Sequence, residues 1–209
     1  QSLPTWAIGG SPGMLQVREK AVEALEMLVA NPYVTVVAAD AFLGDIELDW
    51  LQGISGADPW LVKSTFTRKR SVFLGSNQKA DLRLLLAQMQ SVNAKHGSIW
   101  VGAGQKDTLG ELLSGLVDAG RTIRIDGDTN RDPISGKKNR DFITNVNTEG
   151  RRYRVVAFSP AMSSGVSFEA ETVDISGVVQ SWAWTAADAV QSLNSARDSR
   201  VSVLLGPDI

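Results

Sequence analysis

The segment YRVVAFSPAMSSGVSF, residues 153–168, decides the fold of this chain. Its first part, Arg154–Phe158, is a short apolar run of the kind found in buried strands, and it ends abruptly at Ser159-Pro160. The loop over residues 159–167 offers hydroxyl groups and a flexible backbone, and both can donate hydrogen bonds to phosphate oxygens. A second strand within residues 173–181 and a helix capped by Thr185 follow. The segment therefore predicts the order strand, small-residue loop, strand and helix.

The predicted helix after Thr185 carries the side chains Gln191, Arg197 and Arg200. Guanidinium groups stabilise phosphate charge through planar, bidentate hydrogen bonds. The loop and the helix together indicate one half of a motor protein that uses nucleotide and acts on nucleic acid. Two simpler interpretations stay open. The loop is equally an ordinary turn, because Ser and Gly populate turns for conformational reasons, and positive charge near a helix C-terminus is favourable whatever the function.

Composition limits the classes of protein to which the chain can belong. It has 209 residues, 43% of them hydrophobic and 21% charged, which is typical of a soluble globular protein with a sizeable core. A net charge of −2 gives no overall attraction to polyanions, so any nucleic-acid surface is expected to be local. With no cysteine and a single histidine, His96, the sequence argues against a disulfide framework, a thiolate metal site and a Ser-His-Asp triad.

Strand-like and helix-like segments alternate along the chain, which predicts an α/β fold with a mostly parallel sheet flanked by helices. Helices are expected over 14–30, 45–52, 77–93, 139–147 and beyond Thr185, and a capping box at Thr108 and Glu111 predicts a helix that ends at Gly120. The expected strands are Tyr33–Ala39, 60–65, 71–74, 98–101, 121–125, 153–158, 173–181 and 201–205. The polar stretch from Asp126 to Asn139 has no hydrophobic period and predicts an exposed loop.

Three segments give the chain a resemblance to the second RecA-like domain of superfamily 2 helicases. Ser98–Val101 resembles motif IV, the opening strand of that domain; Val155–Ser167 resembles motif V; Gln191–Arg200 resembles motif VI. Within the superfamily, the SGVS sequence at residues 164–167 is most similar to origin-binding and plasmid replication helicases of the cyanobacterial RepA type. Residues 38–45 also resemble a segment that precedes the second domain in those proteins. The resemblance covers about two-thirds of the chain, and motif V is its most specific part.

The resemblance implies roles for particular residues. Ser159, Ser163, Ser164 and Gly165 would contact DNA and sense nucleotide, Gln191 would orient near the phosphates, and Arg197 with Arg200 would stabilise phosphoryl charge. ATP and magnesium are implied as cofactors, but only together with a partner domain or subunit that carries the phosphate-binding loop. Single-stranded or duplex DNA is the implied substrate, in replication initiation.

The sequence departs from the helicase pattern in three places. It contains no G-x-x-x-x-G-K-[ST] loop, since the Gly-rich stretch at 9–13 lacks the lysine, and no Asp-Glu pair ends a strand. The helicase pattern has an arginine four residues after the glutamine, and Ser195 occupies that position here. The chain is therefore expected to be the second half of a motor, inactive as an ATPase alone. A catalytically inactive RecA-like binding or scaffold module is the alternative, whereas no acid/base constellation indicates a small-molecule enzyme.

Two basic runs and the tryptophans supply further candidates for nucleic-acid contact. Arg68, Lys69 and Arg70 form one run and Lys137-Lys138 the other; both suit phosphate, although short basic runs are usually only solvated. Trp182 and Trp184, two residues apart, could offer one ring to a base. Gly102-Ala103-Gly104 follows a strand, but Asp107 occupies the place of a third glycine, which argues against a dinucleotide loop.

The sequence predicts a domain boundary near residue 70. Residues 1–70 are expected to be the tail of a preceding domain or an added layer, and residues 71–209 the RecA-like domain. No secretion signal opens the chain and no apolar run spans a bilayer, so a cytoplasmic location without membrane partners is expected. The absence of methionine at position 1 suggests processing or excision from a longer chain.

Overall fold

The computed structural model describes residues 12–37, 45–58, 60, 71–116, 119–162 and 166–207. The chain divides into two compact units, Gln1–Thr67 and Arg68–Ile209. Arg68, Lys69, Arg70, Ser163, Ser164 and Gly165, together with most of the 38–45 segment, lie outside the described residues.

The first unit contains two helices, α1 (Pro12–Val29) and α2 (Asp45–Ser55), which contact each other. Both helices confirm the sequence prediction. The strand expected at Tyr33–Ala39 is wrong over its described part, because residues 33–37 form no strand. Tyr33 is 95% exposed and Val37 is 85% exposed. The apolar run resembles a buried strand, but a strand also needs a hydrogen-bonding neighbour, and no described segment of this unit supplies one.

The second unit is built on a six-stranded sheet with the strand order β1-β6-β5-β2-β4-β3. Every neighbouring pair is parallel, which confirms the predicted α/β class. The strands and helices, in chain order, are β1 (Val72–Ser76), α3 (Lys79–Ala94), β2 (Ile99–Ala103), α4 (Lys106–Ser114), β3 (Thr122–Ile125), α5 (Gly127–Arg131), α6 (Pro133–Thr144), α7 (Val146–Glu149), β4 (Val155–Phe158), β5 (Val173–Val179), α8 (Ala186–Leu193) and β6 (Ser199–Gly206). Short 3-10 helices lie at Ala119–Arg121 and Gly150–Arg152.

Helices cover both faces of the sheet, and each face has its own core. Alternate residues of a strand point to opposite faces, so in β2 the side chains of Ile99 and Val101 belong to one core and that of Trp100 to the other. The first core joins these residues to α3 and α4, and the second joins Trp100 to α6 and α8. Burial on both faces explains why β2 and β4 read as continuous apolar runs.

The segment expected to be an exposed loop, Asp126–Asn139, is helical in the structure, so that prediction is wrong. Asp126 caps α5 by accepting hydrogen bonds from the backbone N–H groups of Asp128 and Thr129, and Thr129 completes a capping box. Asp132 caps α6, whose first residue is Pro133. Asp, Gly and Pro indicate loops and helix starts alike, which is why the pattern misled.

The ends of two further helices differ from the prediction. α4 begins at Lys106 and ends at Ser114, and Gly115 follows as its C-cap. Thr108 therefore lies inside the helix and does not cap it. α3 ends near the expected place, but the residue in the left-handed conformation is His96, with φ of 61°, and not Gly97. A Cβ at Gly97 would approach the Asp174 carboxylate to 2.8 Å, so that glycine is needed for space.

The strand that opens the second unit is β1, so the Ser98–Val101 segment is not the opening strand that the resemblance implied. β1 is an edge strand, paired only with β6 among the described residues. Phe73 is 64% exposed and Leu74 is 77% exposed. Because neighbouring residues of a strand point to opposite faces, both faces of β1 are uncovered within this unit.

Candidate functional site

The Gln191–Arg200 segment does not form one helix, so the prediction of a helix that carries both arginines is wrong. α8 ends at Leu193, and only Gln191, which is half-buried, lies within it. Arg197 lies in the connection that follows, where its backbone N–H donates to the carbonyl of Phe168. Arg200 is the second residue of β6. Both arginines therefore lie at the amino edge of the sheet, where the strands begin.

Arg197 contacts the last serine of the small-residue loop. Its Nε donates to Ser167 Oγ at 2.7 Å and lies 3.6 Å from Glu169 Oε1. The side chains of Arg197 and Glu169 are 50% and 58% exposed. An ion pair this exposed contributes about 0–1 kcal/mol to stability.

Arg200 is held by a carboxylate that also orders the neighbouring strand. Its Nη1 lies 3.2 Å from Asp174 Oδ1, and its side chain is 73% exposed. The other carboxylate oxygen of Asp174 accepts hydrogen bonds from the backbone N–H of Ser98 at 2.9 Å and from its hydroxyl at 3.2 Å. Asp174 therefore links the starts of β2, β5 and β6.

Ser159 lies at the opposite edge of the sheet. It follows β4, is 7% exposed, and its backbone N–H donates to the carbonyl of Ile125. Its Oγ accepts from the N–H of Ala161 at 3.2 Å, as in a simple turn. Four strand residues separate the two edges, or about 13 Å at 3.3 Å per residue. The connection from β4 to β5 runs back along the sheet, so the structure brings Arg197 to Ser167 and not to Ser159.

Ser195, at the position where the resemblance expects an arginine, is a core residue. Its Oγ accepts a hydrogen bond from Trp100 Nε1 at 2.7 Å and donates to the carbonyl of Ser192 at 2.7 Å. The residue is 6% exposed. The Trp100 indole stacks on Phe168 with ring centroids 5.3 Å apart. An arginine here would have to displace a packed aromatic cluster.

A polar network at the carboxyl edge was missed by sequence reasoning. Asp126 is 1% exposed and binds Arg124 Nε at 2.5 Å in addition to the two N–H groups it caps. Burial alone would raise the pKa of Asp126, but the hydrogen bonds from the Thr129 backbone and the Arg124 guanidinium outweigh it and lower that pKa below its usual value. Asp126 is therefore ionised at neutral pH. The signal in the sequence was an aspartate at the end of a strand with threonine three residues later.

Lys106 extends this network to the start of α4. Its Nζ lies 3.0 Å from Asp128 Oδ2, and the two side chains are 61% and 62% exposed. The hydrogen bond and charge of Asp128 raise the pKa of Lys106, so the ammonium is charged across the physiological range. Lys106, Asp126 and Asp128 thus lie at the carboxyl edge of the sheet, where β2, β3 and β4 end.

Gly102, inside β2, and Gly104, just after it, serve close packing. A Cβ on Gly102 would lie 2.7 Å from Cε2 of Phe158, and one on Gly104 would collide with the Ser181 hydroxyl. In parallel α/β sheets, ligands bind where neighbouring strands send their connections to opposite faces, which here is the carboxyl end of β2 and β5. Ser181 fills that position, and this explains the glycines without a dinucleotide.

The two tryptophans of the β5–α8 connection divide between core and solvent. Trp184 is 7% exposed and packs on Phe158, with ring centroids 6.3 Å apart. Trp182 is 89% exposed. One ring of the pair is therefore presented to solvent at the carboxyl edge.

Two searches of the described residues give negative findings. No three His, Cys, Asp or Glu side chains there gather closely enough to hold a metal ion. None of the described helices is long and apolar enough to cross a membrane.

Comparisons with known proteins were made for the sequence and for the fold. No protein-family model matches the chain, and no curated protein matches it. The fold is similar to that of the Hef helicase domain of Pyrococcus furiosus, with a TM-score of 0.36 and 13% identity over 62% of this chain and 25% of that chain. It is also similar to the C-terminal part of the Fun30 ATPase domain, with a TM-score of 0.41 and 12% identity over 91% of this chain. This chain covers 62% of that structure.

Proposed function

We propose that residues 71–209 are a RecA-like domain of the helicase class that binds DNA and works opposite a partner domain or subunit. The observation that carries this is the fully parallel six-stranded sheet, covered on both faces, in which the described residues between β4 and β5, 159–162 and 166–172, form no helix. That is the order of elements around the segment that resembles motif V. The proposal does not depend on the similarity of the fold to solved structures.

In this proposal the partner supplies the phosphate-binding loop, and ATP with magnesium is bound mainly by the partner. Arg197 is proposed to reach a phosphate from the amino edge of the sheet, where its side chain is half exposed beside Ser167 and Glu169. In the same hypothesis Arg200, which pairs with Asp174 at the start of β6, acts with Arg197 on phosphoryl charge, and Gln191 of α8 orients near the phosphates. A role in replication initiation is part of the same hypothesis.

A catalytically inactive RecA-like module is the second candidate, and one observation favours it. Ser195 occupies the arginine position of motif VI and is committed to the core through Trp100. Such a module would bind DNA or a protein partner without contributing to hydrolysis.

The two candidates differ in measurable ways. The purified chain is expected to show no ATP hydrolysis with magnesium and to bind DNA with an affinity that falls as salt rises. Adding a protein that carries a phosphate-binding loop and an Asp-Glu motif, encoded next to this chain, should restore hydrolysis in the motor. Arg197→Ala should then reduce kcat at least tenfold, whereas Arg151→Ala, a matched loss of one exposed arginine, should not.

Clear outcomes contradict each candidate. ATP hydrolysis by the purified chain alone contradicts the proposal that a partner must supply the phosphate-binding loop. Reconstitution that is insensitive to Arg197→Ala leaves the inactive module as the better description. Absence of binding to both single-stranded and duplex DNA at 50 mM salt contradicts the proposed function as a whole.

A further inference from the structure

The segment from Arg131 to Arg154 concentrates positive charge in a chain that is slightly acidic. It has seven lysine and arginine residues and three acidic residues, so its formal charge is +4 while the whole chain carries −2. The segment comprises the end of α5, α6, α7 and the following 3-10 helix, all on the face of the sheet opposite α3 and α4.

The fold places the cations of α6 on its outer side. Phe142 is buried in the core on the sheet, whereas Gly136 and Asn139 are buried against Thr129 and Asn130 of α5, so the opposite side of α6 faces solvent. Lys137, Lys138 and Arg140 are all exposed. Lys138 Nζ lies 5.0 Å from the centre of the Tyr153 ring. Lys137 and Arg140 are neighbours on the outer side of α6, and Lys138 lies on the flank next to Tyr153; we call these three cations the α6 ridge.

The carboxylates near the α6 ridge are few or already engaged. Asp132 accepts the backbone N–H of Ser135 at 2.7 Å as the helix cap, and Glu149 binds Arg152 at 2.9 Å. Asp141 is the acidic residue of α6 that faces solvent. Asp132 keeps its negative charge while it caps α6, so with Asp141 there are two anions against the three cations of the α6 ridge, and α6 with its cap has a formal charge of +1.

We propose that the α6 ridge contacts the phosphate backbone of duplex DNA. This rests on the proposed function only in that DNA is the partner, and it adds a surface that is separate from the loop after β4. Side chains at i and i+3 of a helix are neighbours, so Lys137 and Arg140 can contact phosphates that are close together on one strand. A helix of 12 residues is about 18 Å long, enough to lie across several base pairs.

Duplex DNA fits this surface better than a single strand does. Surfaces that bind single strands combine positive charge with aromatic rings on which bases stack. Within residues 127–154, Phe142 is 1% exposed and Tyr153 is half-buried next to Lys138, and the exposed large apolar side chain is Ile134. A convex row of cations without an exposed ring suits a phosphate backbone whose bases are paired.

The test compares two variants of the full chain that lose the same charge. Lys137→Gln with Arg140→Gln removes one lysine and one arginine from the α6 ridge. Lys79→Gln with Arg83→Gln removes the same pair from α3, on the opposite face, where both side chains are exposed. Affinity for a 20-base-pair duplex and for a single strand of the same sequence is measured by fluorescence anisotropy from 50 to 200 mM salt, and urea unfolding confirms that both variants fold.

The α6 variant is expected to bind duplex roughly tenfold or more weakly at 50 mM salt. Its plot of log K against log salt should be shallower by about 2, one for each lost phosphate contact. The α3 variant should stay within about twofold of the unmodified chain. Equal losses in the two variants, or a loss confined to the single strand, overturn the α6 ridge as a duplex surface. In that case the proposed function still stands, because it fails only when the unmodified chain binds neither DNA.

Discussion

At the scale of the residue, Ser195 occupies a position of motif VI but has a structural role in the core. The residue spacing of motif VI places it where an arginine is expected, yet its hydroxyl is the partner of the Trp100 indole, 95 positions away in sequence. That pairing depends on β2 and the end of α8 meeting in the folded chain. Nothing local in the sequence indicates it, so the structural role of Ser195 could not have been predicted.

Ser195→Ala is expected to lower the free energy of unfolding by about 1–3 kcal/mol. The substitution removes the acceptor of the Trp100 Nε1–H and leaves a buried donor without its partner, which costs more than the net value of a hydrogen bond. Urea unfolding monitored by tryptophan fluorescence measures the change. Ser114→Ala is the matched control, since Ser114 also bonds a carbonyl but is on the surface, and it should change stability by less than about 0.5 kcal/mol. Equal effects in the two variants would show that the indole finds another partner.

At the scale of the element, the strands of the second unit and the helix α3 could be predicted, whereas α5 and the first part of α6, which begin at capping residues, could not. β2, β4 and β5 are apolar runs because both faces of the sheet are covered, and α3 has a continuous apolar stripe. α5 has five residues and buries none of them, so hydrophobic period cannot reveal it. Its stability comes from the cap, and the residues that make caps are the residues that make turns.

The cap of α5 makes stability depend on pH in a defined direction. The folded pKa of Asp126 is lowered, so its contribution is fully present above the unfolded pKa of about 3.9 and is lost as pH falls through the folded value. Asp126→Asn is expected to cost roughly 1–3 kcal/mol at pH 7, because the bond to Arg124 loses its charge. Below about pH 4 the difference between the variant and the unmodified chain should shrink. Urea unfolding from pH 7 to pH 3 measures it, and a difference that is constant with pH would contradict this account.

At the scale of the whole molecule, the charges of the second unit are distributed unevenly. Arg197 and Arg200 pair with carboxylates at the amino edge, and Lys106 pairs with Asp128 at the carboxyl edge. The sequence predicted that Gln191, Arg197 and Arg200 lie on one helix. α8 ends at Leu193, so of these three only Gln191 lies on it. The sequence pattern therefore predicted that strands and helices alternate, whereas the edge at which each side chain lies depends on where each connection ends.

The second unit has the cores needed to fold alone. Both clusters of buried apolar residues consist of side chains between Leu82 and Leu205. A chain of residues 71–209 is therefore expected to unfold in urea in one cooperative transition, with far-UV circular dichroism of an α/β protein. Phe142→Ala should cost about 3–5 kcal/mol in this shorter chain and in the full chain alike, because Phe142 is 1% exposed and packs on Trp100 and Tyr153, all within the unit. A shorter chain that is unfolded, or in which this substitution costs much less than in the full chain, would mean that residues before Ser71 complete the core, and the boundary near residue 70 would then be no boundary of folding.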